Sequence, residues 1–181
     1  MRRQGSQSQR IALAGVFGAL AVVIMLVGGV LPFATFAAPA MAGLFLVPVA
    51  IEFGRKTGCL LYVAVGLLAF FLVPDREMSL IFIFLLGYYP LLKISIEHIR
   101  RKALQWIVKF AVFNASVCAL YALLLFVFPL DAVVEELGGG GFYVWLLWGM
   151  GNLTFFVYDI AIARIVAVYC ARLRPRLMKM H

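Results

Sequence analysis

The sequence predicts an all-α integral membrane protein: a compact six-helix bundle with both termini in the cytoplasm. Two observations predict it. Of the 181 residues, 65% are hydrophobic and only 13% charged, against about 45–50% and about 25% in soluble domains; mean hydropathy is +1.05. The remaining charges fall between long apolar runs, and nearly all on one side of the bundle those runs define. This composition excludes an ordinary soluble enzyme, a disordered chain and a nucleic-acid-binding module. The chain is long enough for a single membrane domain, 1–181, and too short for two.

A membrane-spanning helix needs about 20 mostly apolar residues. No charged residue occurs from Ile11 to Ile51, which is room for two spans divided at Pro32. Helix 1 is therefore expected over 11–31 and helix 2 over 38–54. The uncharged runs Thr57–Pro74, Met78–Leu92, Phe110–Leu130 and Leu137–Tyr158 predict helices at 57–73, 78–98, 104–128 and 142–169. The first run is too long for a cleaved signal peptide and continues into a second span, so it reads as a helix of the domain. Segments 32–37, 74–77 and 129–141 then connect helices on one side, and 55–56 and 99–103 on the other, together with both termini. The four glycines Gly138–Gly141 mark a flexible last outer loop.

The basic residues orient the bundle. Fifteen of the 16 (Arg2, Arg3, Arg10, Arg55, Lys56, Lys93, Arg100, Arg101, Lys102, Lys109, Arg164, Arg172, Arg174, Arg176 and Lys179) lie on the terminus side, and only Arg76 on the other. The positive-inside rule puts the terminus side in the cytoplasm. The net charge of +8 thus reports topology and predicts no nucleic-acid partner.

Catalytic chemistry has no signature here. The two histidines, His98 and His181, give no metal cluster, and GxSxG, P-loop and HExxH patterns are absent. The acids at helix level, Glu52, Glu97 and Asp159, stand singly. No enzyme activity, metal or cofactor is expected. Cys59, Cys118 and Cys170 are expected as free, core-filling thiols.

The informative residues are polar ones within the spans, where each ionisable group costs about 2.5–3.5 kcal/mol at a helix centre. Tyr88, Asn114 and Asn152 each lie ten residues into a predicted helix, roughly 15 Å deep. They read either as a shared binding cavity or as interhelical hydrogen bonds worth roughly 0.6–2 kcal/mol each. Lys93 and Asp159 have opposite charge at similar depth. They predict a buried ion pair, which is either a clamp between helices 4 and 6 or an ion relay. Glu52 and Arg55 are placed to pair at the inner end of helix 2, and Arg164 to snorkel to the interface. Gly87–Pro90 (GYYP) predicts a kink in helix 4, because proline removes a backbone donor. Trp106, Tyr143, Trp145 and Trp148 sit near helix ends as interface anchors, with Trp148 also placed to stack on a ligand. The outer side carries Asp75, Glu77, Asp131, Glu135 and Glu136 against Arg76. That balance either suits a cationic or neutral ligand or complements the inner basic bias.

Helix 1 reads RIALAGVFGALAVV, with Ala14 four residues before Gly18 and Gly15 four before Ala19. Such small-residue faces allow close helix approach, within the bundle or against a partner. With six helices, about 180 residues and the run ALAGVFGALAVV, together with LFLVPVAIEFGRKTG at Leu44–Gly58, the chain resembles the substrate-binding S components of energy-coupling-factor (ECF) transporters. The resemblance implies a bacterial cell-membrane protein that binds a vitamin-like small molecule from outside through helices 4–6 and the outer loops. The ligand set would be Tyr88, Asn114, Trp148 and Asn152, with Asp75 and Glu77. It implies docking of helix 1, through Ala14, Gly15, Gly18 and Ala19, on a membrane coupling protein served by two cytoplasmic ATPases. The opening MRRQGSQSQR lacks the histidine-bearing start of the metal-ion members, which argues against nickel or cobalt. The alternative is a six-helix scaffold of the rod-shape-determining type, without transport activity.

Overall fold

The computed structural model describes residues 7–31, 34–126 and 141–173. Among these every regular element is helical: α1 Gln7–Gly28, α2 Ala37–Phe53 and α3 Arg55–Leu72 come first. A fourth, compound helix runs from α4 Arg76–Ile81 through a π-helical turn, Phe82–Leu86, into α5 Tyr89–Ile96. Then follow α6 Lys102–Phe126 and α7 Gly141–Val168, the latter extended by a π-helical turn at Tyr169–Leu173. Counting α4–α5 as one, there are six helices, each within a few residues of its expected span.

Five of the six are long and apolar enough to cross a membrane: Ile11–Gly28, Arg55–Leu72, Arg76–Ile96, Lys102–Leu124 and Trp148–Ala171. The sixth, α2, is apolar and as short as its expected span, 38–54. Its 17 residues extend about 25 Å, against the roughly 30 Å of a bilayer core. The α2–α3 connection differs from expectation. Arg55 and Lys56 are not a loop but the first turn of α3, and the reversal is made by Gly54 alone at φ +89°. Only glycine takes that conformation without strain.

The helices share two apolar cores. In the first, α1 (Ala21, Met25), α2 (Ala38, Ala42, Leu46, Ala50) and α3 (Val65, Ala69) pack with Met78 and Phe82. The α2 residues recur every four positions, so three alanines and a leucine form one row that lets neighbouring backbones come close. In the second, α4–α5, α6 and α7 pack through Leu80, Ile81, Tyr89, Phe113, Leu120, Phe155 and Ile162. Here the contacts are aromatic: the Phe155 ring stacks on Phe113 (4.3 Å) and meets Tyr89 edge-on (4.7 Å) and Phe110 (5.5 Å). Cys59, Cys118 and Cys170 are free, but they lie on the outside of the bundle rather than filling its core.

The predicted kink is a π-helical turn followed by Pro90. The Gly87 N–H donates to the Phe82 carbonyl (2.8 Å), a five-residue closure. Pro90 has no N–H to give Leu86, four residues earlier. The Tyr158 hydroxyl donates to that carbonyl instead, at 3.0 Å, and lies 3.3 Å from the Ala40 carbonyl. Tyr62 from α3 likewise donates to the Ile83 carbonyl (2.6 Å). Gly43 makes this crossing possible: a Cβ there would stand 2.6 Å from the Leu86 oxygen and 2.8 Å from the Tyr158 hydroxyl.

Candidate functional site: a buried charge cluster between three helices

The sequence spacing of α5 and α7 places their polar groups on inward faces. On α5, Tyr89, Lys93 and Glu97 recur every four residues. On α7, Trp148, Asn152, Phe155, Asp159 and Ile162 recur at alternating steps of four and three, the stripe of a helix facing its neighbours. Two polar clusters result, one between α5, α6 and α7 and the other between α6 and α7.

The deeper cluster centres on Asp159. Its Oδ1 accepts from Lys93 Nζ (2.6 Å), Lys109 Nζ (2.9 Å) and the Tyr89 hydroxyl (2.5 Å). Oδ2 accepts from Lys109 (3.0 Å), and the Asp159 main-chain carbonyl from Lys93 (2.7 Å). Lys93, Lys109 and Asp159 are each at most 4% exposed. Glu97, half exposed, completes the set from the rim: its Oε1 lies 3.4 Å from Lys93 and 3.7 Å from Lys109. Lys109 also sits 4.9 Å over the Trp106 ring. Two buried ammonium groups thus share one buried carboxylate, and the second carboxylate is held loosely at the edge. Burying such charges is tolerable only because every one is paired and hydrogen-bonded.

The second cluster is neutral. Asn114 Nδ2 donates to Asn152 Oδ1 (3.0 Å) and to the Phe110 carbonyl (2.8 Å). Asn152 Nδ2 donates to Asn114 Oδ1 (3.3 Å) and to the Trp148 carbonyl (2.9 Å), and Trp148 Nε1 donates to Asn114 Oδ1 (2.6 Å). The structure therefore brings Asn114, Asn152 and Trp148 together. Tyr88 is elsewhere, bonded to Ser116 on another face of α6 (2.6 Å). It does not share a cavity with the asparagines.

The remaining expected site residues are at helix ends and on α1. Asp75 caps α4, its Oδ1 accepting from the Met78 N–H (3.0 Å), and its Oδ2 lies 3.5 Å from Thr35 Oγ1. Glu77 sits in the first turn of α4. Arg76 bonds the Phe70 carbonyl and lies over that ring. Glu52 accepts from the Tyr169 hydroxyl at 3.4 Å. Asp131, Glu135, Glu136 and most of 129–141 lie outside the described residues, as do Pro32 and Phe33. On α1 the two small-residue rows separate. Gly18 is turned onto α3, where a Cβ would come within 2.8 Å of Leu61 Cδ1, so it is no part of an outer docking face. Ala14 is half-buried, while Gly15 and Ala19 are exposed with open space beside Gly15.

Sequence reasoning missed two members of the charge cluster. Lys109 reads with the terminus-side cations, although seven residues into α6 it is about 10 Å deep. Depth alone selects Tyr88 and not its neighbour Tyr89. One position is a 100° turn of the helix, which a nearly uniform apolar pattern does not fix. A signal for both was present: Tyr89–Lys93–Glu97 spacing and the aromatic pair Trp106 and Phe110 around Lys109.

The chain matches no family model, and no curated protein or solved structure matches it. What fold and site define together is a class: among the described residues, a helical bundle with five helices long and apolar enough to cross a membrane, and a buried ionic cluster between α5, α6 and α7.

Proposed function

We propose that the chain is the substrate-binding membrane subunit of an ECF-type importer, capturing a vitamin-like small molecule from outside and docking on a membrane coupling protein with two ATPases. One observation carries the reading. Among the described residues, every buried charged side chain lies on α5, α6 or α7, while α1–α3 pack through an apolar core and leave Gly15 and Ala19 open. The second half is built to hold something polar, and the first to present a smooth small-residue face. Intramembrane ionisable groups that persist at such cost mark function by default.

In this reading Asn114, Asn152 and Trp148 exchange their mutual hydrogen bonds for bonds to the ligand, with the Asp75–Glu77 turn above them. Both termini lie in the cytoplasm of a bacterial cell. In support, Arg55, Lys56 and Lys102 occupy first helical turns, where the helix dipole disfavours cations; helix stability did not place them there, and the positive-inside rule accounts for them.

A single observation favours the scaffold alternative: Asn114 and Asn152 satisfy both amide N–H donors and their acceptors on one another and on neighbours, as interhelical glue does. Native mass spectrometry of the purified chain separates the two. A retained small molecule, lost in Asn152→Ala, supports capture; an empty protein whose Asn152→Ala variant is merely less stable supports the scaffold. Gly15→Leu is expected to abolish co-purification of a coupling protein while ligand retention persists.

A further inference from the structure

The charge cluster opens onto a cavity that neither reading uses. An inner chamber of about 150 Å³ is walled by Ile51, Ile94, Ile162 and Val166 and carries two charged groups, Lys93 and Glu97. A wider cleft of about 780 Å³ shares Ile51, Ile94, Glu97 and Val166 with it and adds Arg55, Lys56 and His98. The two lie end to end between the first half of the bundle (α2, α3) and the second (α5, α7). The wider cleft alone is in the range of small-molecule sites, about 300–1,000 Å³. The mouth is cationic, the walls are apolar, and Lys93 stands at the inner end.

Glu97 is the telling residue. Its carboxylate stands in the wall common to both spaces, half exposed, at 3.4 and 3.7 Å from the two ammonium groups. The Asp159 bonds to the same groups are 2.6–3.0 Å. After Asp159, the two buried lysines retain one positive charge, and Glu97 meets it at arm's length. A carboxylate arriving through the cleft meets the Lys93 ammonium group, which lines the inner chamber beside Glu97, at a site already shaped for one carboxylate. A single negative charge, not a doubly charged phosphate, balances the cluster.

We propose that this double cavity binds an amphipathic small-molecule carboxylate. Its head group displaces Glu97 from Lys93, and its apolar body lies along Ile51, Ile94 and Val166. The site stands apart from the Asn114–Asn152 cluster and does not depend on the transport reading.

The test uses the full chain in detergent, with 4-phenylbutyrate as probe and 4-phenylbutanol, acetate and phenyl phosphate as controls, followed by calorimetry. Saturable one-to-one binding of 4-phenylbutyrate is expected, with each control weaker by about tenfold or more, the scale of one lost charge-assisted hydrogen bond or of the apolar body. Glu97→Ala, at a half-exposed position that keeps the fold, removes the internal competitor and is expected to tighten binding about tenfold. Val166→Trp fills the cleft without touching a charge and is expected to abolish binding. The proposal is overturned if neither the wild type nor Glu97→Ala binds saturably. It is equally overturned if 4-phenylbutanol or phenyl phosphate binds as well as the carboxylate, or if Glu97→Ala leaves the affinity unchanged. A fatty acid retained by protein drawn from membranes would identify the occupant as bilayer-derived; binding of the soluble probe alone would identify it as soluble. Both support the site.

Discussion

Asp159 is the residue on which the interior depends. It is the one buried carboxylate among the described residues and receives hydrogen bonds from Tyr89, Lys93 and Lys109. Asp159→Asn leaves two buried ammonium groups without a buried counter-charge. Removing one partner of a buried ion pair costs about 3–5 kcal/mol, so this variant is expected to lose most of its resistance to denaturant in detergent. Glu97→Gln touches the same lysines from a half-exposed position and is expected to cost less than about 1 kcal/mol. Equal losses for the two would mean that the cluster is wetter than its burial implies. Sequence reading found the Lys93–Asp159 pairing because opposite charges at equal depth need each other. It did not find Lys109, because a lysine near a helix start reads equally well as a topology charge. Only the neighbouring helix decides between those uses.

At the scale of elements, the broken helix α4–α5 shows how a local defect is repaired from elsewhere. Pro90 deprives the Leu86 carbonyl of its donor, and Tyr158 supplies another from α7. A buried unsatisfied carbonyl costs about 1–3 kcal/mol. Tyr158→Phe is therefore expected to destabilise by about that amount, and to cost much less in a Pro90→Ala background, where residue 90 regains an N–H for Leu86. A double-mutant cycle by thermal unfolding measures the coupling; additive effects would sink this account. The kink was legible in GYYP, since proline chemistry is local. The π-helical turn before it was not, because nothing in FIFLL distinguishes five-residue from four-residue closure.

For the whole molecule, the gaps between charges located the six helices because a bilayer excludes charge wherever a helix crosses it. Helix rotation was beyond reach, since lipid-facing and core-facing side chains are equally apolar. The two rows of α1 illustrate this. Both Ala14/Gly18 and Gly15/Ala19 read as small-residue faces, yet only the Gly18 row meets α3. Gly18→Leu is accordingly expected to lower the unfolding temperature by several degrees, as overpacking of about 1–3 kcal/mol would. Gly15→Leu, with open space beside it, is expected to leave it unchanged. The reverse ranking would mean that α1 is rotated from this arrangement.

The order in which the chain is made gives the shared carboxylate a further meaning. Lys93 leaves the ribosome with Glu97 four residues behind it, and so carries a partner of its own. Lys109 arrives with only that same Glu97 to share, and Asp159 emerges 50 residues later. Until α7 is inserted, a nascent chain thus holds an uncompensated cation at helix depth, a defect that membrane quality control is built to detect. A chain stopped after α6 should be degraded quickly in pulse-chase, and Lys109→Met should lengthen its life. In the folded protein the same charge marks the arrival of α7: the buried cluster is neutralised only when that helix is in place.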